Sequence, residues 1–141
     1  SEEARHRVAG RPWSFLHVSK AEIDLPVGTD PYDAAVYAKS AENFAHMLAE
    51  GVLVQDDRPY YYAYRLIMGE HVQTGIVAVA SVEAYDANRI RKHEFTRPAK
   101  EDDRMRQIQA LGAQTGPVFL VYPAHDVVDT LLARVAEGEP D

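Results

Sequence analysis

Between residues 58 and 68 the chain alternates. Tyr60, Tyr62, Tyr64, Leu66 and Met68 fall on one side, and Tyr61, Ala63, Arg65 and Ile67 on the other. A period of two marks a strand, because successive side chains point to opposite faces. A second β-rich run, VQTGIVAVASVEAY (72–85), follows after only GEH (69–71), and the pair predicts a long antiparallel hairpin. WSFLHVS (13–19) alternates Trp13, Phe15 and His17 against Ser14, Leu16 and Val18, which also predicts a strand. PVFLVY (117–122) is an unbroken apolar run and predicts a buried strand.

Elsewhere the period lengthens to that of a helix. Tyr37, Ala41, Phe44 and Leu48 stand at i, i+4, i+7 and i+11, an apolar stripe on a helix running from Pro31 or Asp33 to Glu50, with Gly51 as its stop. Residues 1–9 predict a short helix closed by Gly10, 99–112 a helix, and 126–136 a last one. EIDLPVGTDPYD (22–33), with two Pro, one Gly and three Asp, predicts a connecting loop. Residues 86–98 predict a loop or short strand. Strands and helices mix without strict βαβ alternation. The expected fold is therefore a single α+β domain, with a mixed, mainly antiparallel sheet, a long hairpin and three to four helices packed on it.

Charge narrows the function classes. Asp and Glu number 22 against 15 Lys and Arg, a formal net charge of -7, which argues against direct DNA contact because duplex binding needs a basic face. With no Cys, the chain has no disulfide, no thiolate nucleophile and no Cys-ligated metal. No apolar run approaches the roughly 20 residues of a membrane helix, and SEEARHRVAG lacks a signal peptide's apolar core. The expectation is a soluble, cytoplasmic protein. Its opening on a helix N-cap rather than a Met is the pattern of a fragment.

Candidate chemistry concentrates in HEFTRPAKEDDR (93–104). Arg97, Lys100 and Arg104 stand at i, i+3 and i+7 and share one helical face. Ile108 and Leu111 extend that line, with Met105 and Ala113 on the buried side and Thr96 as the cap. Cations in a first turn oppose the helix dipole, and they make better sense facing an anion such as phosphate. Two readings stand open: an anion site, or a solvated helix whose Glu101, Asp102 and Asp103 satisfy the dipole. His93 and Glu94 are general acid/base candidates. They do not form a zincin pair, because Arg97 occupies the place of the second His. Tyr60 to Tyr64 suggest a base-stacking platform, but alternate strand tyrosines more often pack into a core. His17, His46, His71 and His125 show no ligand spacing.

HEFTRPAKEDDR followed by TGPVFLVY resembles the polar motif and following strand of the domain-of-unknown-function 1015 family. PWSFLHVSKAEIDLP (12–26), NFAHMLAEGVLVQDD (43–57), YYYAYRL (60–66) and QTGIVAVASVEAY (73–85) resemble its other segments, in order. Family members are longer, with a Pro-Pro-Tyr-Asp motif upstream and an Asp-Gly-His-His-Arg motif downstream, and neither occurs here. The downstream motif is similar to one in the ParB/sulfiredoxin-like superfamily, which includes nucleotide-using partition proteins and free-serine kinases. The resemblance implies an N-terminal fragment whose partner is the rest of its own chain, and it adds weight to His93, Glu94, Thr96, Lys100, Asp103 and Arg104. The expected activity is phosphoryl transfer from ATP (or use of ADP) to a small hydroxyl compound. In that scheme Arg97, Lys100, Arg104 and Thr96 hold phosphate, Asp103 stands near a divalent ion, and Glu94 or His93 takes the proton. The alternative is a non-catalytic ligand-sensing or protein-interaction module.

Overall fold

The computed structural model describes residues 1–92 and 95–140; His93 and Glu94 lie outside them. Its elements are α1 (Glu2–Val8), α2 (Leu16–Ser19), a 3-10 turn (Ala21–Asp24), α3 (Ala34–Ala49), β1 (Tyr62–Met68), β2 (His71–Val77), α4 (Val82–Asp86), α5 (Pro98–Leu111) and α6 (Asp126–Val135). The chain is α+β, with six α-helices among the described residues rather than three to four. Contacts divide it into two units. One takes in Ser1–Gln55 and the described part of Glu94–Val118; the other takes in the described parts of Asp56–His93 and Phe119–Asp141.

The first unit holds most of the core. Val18, Ala21, Ile23, Val36, Tyr37 and Met47 are buried there. α3 begins at Asp33, whose carboxylate accepts from Ala35 N at 2.8 Å, replacing one bond that a helix start lacks. Its buried residues are Val36, Tyr37, Ser40 and Met47, with Ala41, Asn43 and Phe44 half-buried; of the expected Tyr37–Ala41–Phe44–Leu48 line only Leu48 is exposed. The buried face also carries a polar network. Ser40 Oγ donates to Val18 O at 2.6 Å, and Gln107 Nε2 donates to Ser40 Oγ at 2.6 Å and to Val18 O at 3.2 Å. These bonds join α2, α3 and α5 in the interior, where an unmet polar group is costly.

The same bonds explain why residues 13–19 do not form the expected strand. The backbone turns into α2, with Val18 N and Ser19 N both donating to Phe15 O at 3.0 Å, and Asn43 Nδ2 takes His17 O at 2.8 Å. Alternation over seven residues does not separate a strand from a short helix when no neighbouring strand is available. α5 starts one residue later than a Thr96 cap requires. Arg97 is extended (φ -85°, ψ 125°) and serves as N-cap without a side-chain bond, because a residue before proline is pushed out of the helical region. Thr96 Oγ1 instead donates to Glu101 Oε2 at 3.0 Å. Gly112, at φ 64°, closes α5 in the left-handed region, and its N–H reaches Ile108 O at 2.8 Å. Gln107 is the buried residue of α5, whereas Met105, expected inside, is half exposed.

The second unit contains the hairpin. β1 and β2 pair antiparallel from Tyr62↔Val77 to Met68↔His71, and they form a two-stranded sheet among the described residues. β2 ends at Val77, short of the expected Tyr85; Ser81 then caps α4 through its hydroxyl, which accepts from Ala84 N at 3.2 Å. Tyr60, Tyr61, Tyr62 and Tyr64 are all exposed, so they are not core tyrosines. Nor is 117–122 a buried strand. It is unpaired among the described residues, and Val118, Phe119 and Val121 are largely exposed. Its apolar composition reads as a strand, but a strand needs a hydrogen-bonded neighbour, and none pairs with it among the described residues. Within this unit Arg65 donates to Ala136 O after α6. Among the described residues no helix is long and apolar enough to cross a membrane.

The Ser40–Gln107–Val18 bonds predict non-additive losses. Ser40→Ala and Gln107→Ala should each cost about 1–3 kcal/mol in urea denaturation. The double variant should lose less than the sum by at least about 0.5 kcal/mol. Additive losses would mean that the two side chains act separately.

Candidate functional site

The polar motif's helix meets α3 across a cleft of about 110 Å³. Lys100, Asp103 and Arg104 line it from α5, Tyr37 from α3, Tyr32 from the loop before α3, and Lys20 from the turn after α2. The i, i+4 spacing of Lys100 and Arg104 puts both on one helical face. Tyr32 is set by its loop, since Asp30 Oδ1 accepts from Tyr32 N at 3.0 Å and Asp33 N donates to Asp30 O at 3.0 Å.

Inside the cleft the side chains are paired crosswise. Tyr37 Oη donates to Asp103 Oδ1 at 3.0 Å, which fixes a carboxylate whose side chain is only 17% exposed. Lys100 Nζ donates to Tyr32 Oη at 2.9 Å. Arg104 Nη2 lies 3.8 Å from Asp103 Oδ2, a loose pair on a guanidinium that is 58% exposed. Among the described residues neither cation is neutralised by a close carboxylate bond, and each keeps N–H groups for another acceptor.

Burial pushes the Tyr37 hydroxyl up to about 12, helped by its bond to Asp103 and by that carboxylate's charge. It therefore remains an O–H donor at neutral pH. The Lys100 ammonium is raised above its ordinary value, first by the hydrogen bond to Tyr32, so it stays a cation. The lining thus carries the cations Lys20, Lys100 and Arg104 and the carboxylates of Glu22 and Asp103, the latter oriented by a neutral tyrosine.

Of the motif's expected residues, Lys100, Asp103 and Arg104 come together. Arg97, the non-helical N-cap, is not among the residues lining the cleft, and Thr96 is bonded to Glu101. His93 and Glu94 lie outside the described residues. No three His, Asp or Glu side chains among the described residues are grouped to hold a metal. Tyr32, Tyr37 and Lys20 carried no motif. DPYD signals a turn at Tyr32, but nothing in it gives the direction of the hydroxyl.

A fold of this class, with helices about a polar cleft, fits many chemistries. The family model described as "Protein of unknown function (DUF1015)" matches residues 1–141. The chain belongs to the DUF1015 family. No match was found among curated proteins, and none among solved structures.

Tyr37 gives this site a pH signature. Its value rises from 10.0 in the unfolded chain to about 12 in the fold, so between those pH values the unfolded state binds fewer protons than the native state. Stability from this group is complete below pH 10 and falls as pH rises towards 12. The Tyr37→Phe variant should therefore lose stability less steeply over that alkaline window, as read by urea denaturation at stepped pH. Equal slopes would exclude a raised Tyr37.

Proposed function

We propose that the cleft binds a phosphate group or a similar small anion, and that the domain takes part in phosphoryl transfer to a small hydroxyl compound. The observation that carries the reading is the convergence of Lys100 and Arg104 on one cleft beside the hydrogen-bonded Asp103. Two cations with spare N–H donors suit the oxygens of a phosphoryl group, and Arg offers a planar fork for two of them. Pockets that enclose drug-sized ligands span roughly 300–1,000 Å³. At about 110 Å³ this cleft is suited to a head group rather than a whole nucleotide.

In the catalytic form of the proposal, ATP is the donor with a divalent ion at Asp103, and ADP leaves. Lys100 and Arg104 offset charge on the moving group, while Glu94 or His93 takes the acceptor's proton. The rival reading is a protein-interaction module, favoured by the exposed Ile67 and Met68 on the hairpin.

Thermal shift with inorganic phosphate, ATP and divalent ions tests binding. At 100-fold excess over Kd, binding should stabilise the fold by about 2.7 kcal/mol. Arg104→Ala and Lys100→Ala should abolish the shift, and Arg97→Ala should leave it. A shift unchanged in both cleft variants would remove the site from α5. With ATP and hydroxyl acceptors, Glu94→Gln should lower turnover without lowering phosphate affinity; unchanged turnover would count against a proton acceptor there.

A further inference from the structure

α3 also lines a second cleft, of about 350 Å³, and its side chains there differ from those facing the phosphate cleft. The residues were scattered in sequence and are brought together by the fold. Trp13 and His46 form an open aromatic corner, with ring centroids 5.3 Å apart and planes inclined at 43°. Trp13 is 44% exposed, so a large part of its surface has no covering group. Pro12 and the buried Met47 add apolar surface.

Opposite chemistry stands at His17. Its Nδ1 is 2.9 Å from both carboxylate oxygens of Asp24. A carboxylate accepts, so Nδ1 carries the proton whether the ring is neutral or charged. Asn43 Nδ2 donates to His17 O and to Asp24 Oδ2, each at 2.8 Å, which fixes the ring's orientation. In the neutral ring Nε2 is then an acceptor, and it is buried without a partner among the described residues. Such an atom is costly in the interior and favours a donor that reaches it. The Asp24 oxygens are already engaged, and Lys39, also in the lining, donates from Nζ to Glu42 Oε1 at 2.8 Å.

We propose that this second cleft binds a planar nitrogen heterocycle of the nucleobase class, stacked on the Trp13–His46 corner. A flat heterocycle offers a π face to the Trp13–His46 corner, which a saturated sugar or an aliphatic acid lacks, and its edge N–H is a donor of the kind that the buried His17 Nε2 is without. At about 350 Å³ the space lies within the range of small-ligand pockets, roughly 300–1,000 Å³. This site is independent of the phosphate cleft, and its failure would leave that reading intact.

Trp13 is the chain's one tryptophan, so intrinsic fluorescence reports on this cleft directly. The intact chain is titrated with adenosine, with ribose and with inorganic phosphate. Saturable quenching by adenosine, absent with ribose and phosphate, is the expected result. His46→Ala, a change at an exposed position, should weaken it by up to about tenfold, the scale of one stacking contact. Lys100→Ala should leave it unchanged. No saturable response, an equal response to ribose, or a response lost in Lys100→Ala and retained in His46→Ala would overturn the proposal.

Discussion

One backbone carbonyl, that of Val18, organises the first unit. It accepts from Ser40 on α3 and from Gln107 on α5, and Gln107 closes the triangle by donating to Ser40. The three groups are out of water, so each must find its partner inside the protein. This requirement sets Ser40 among the buried residues of α3, and it places Gln107 rather than Met105 on the buried face of α5. Hydrophobic burial brings these helices together, and the hydrogen bonds select the rotation at which they stop.

The candidate site follows from that rotation. With Gln107 inward, Asp103 lies one turn earlier on the same face and meets Tyr37, while Lys100, a further turn back, meets Tyr32. Arg104 is left at the edge of the cleft, more than half exposed. Two tyrosine hydroxyls thus hold Asp103 and Lys100, and both cations retain N–H groups. In an acidic chain, with a formal net charge of -7, such a local arrangement decides whether an anion is attracted.

Membership of the DUF1015 family supplies no chemistry of its own, so the reading of function rests on the two clefts. They use different physics. The smaller one is electrostatic, built from Lys100, Arg104 and a tyrosine-held carboxylate; the larger is aromatic, with one imidazole held by Asp24. α3 serves both because a helix presents different residues every turn: Tyr37 to one, and Asn43 and His46 to the other.

The sequence by itself determined the elements whose signals are local. Asp33 and Gly51 bracket α3, Pro98 and Gly112 bracket α5, and alternation on either side of GEH specifies the hairpin, because capping, proline geometry and period-two patterning act within a few residues. The same locality made Lys100 and Arg104 legible as neighbours. Tertiary structure decided everything that needed a partner from afar. Residues 13–19 and 117–122 had strand-like composition, but a strand exists through its neighbour, and the described sheet has two members. Tyr32 and Tyr37 gained their roles across 68 and 66 residues of chain. His17 met Asp24 only because a turn of backbone folded the seven-residue separation into contact. Side-chain hydrogen bonds at such distances leave no period in a sequence, since they depend on where two helices stop rotating against each other.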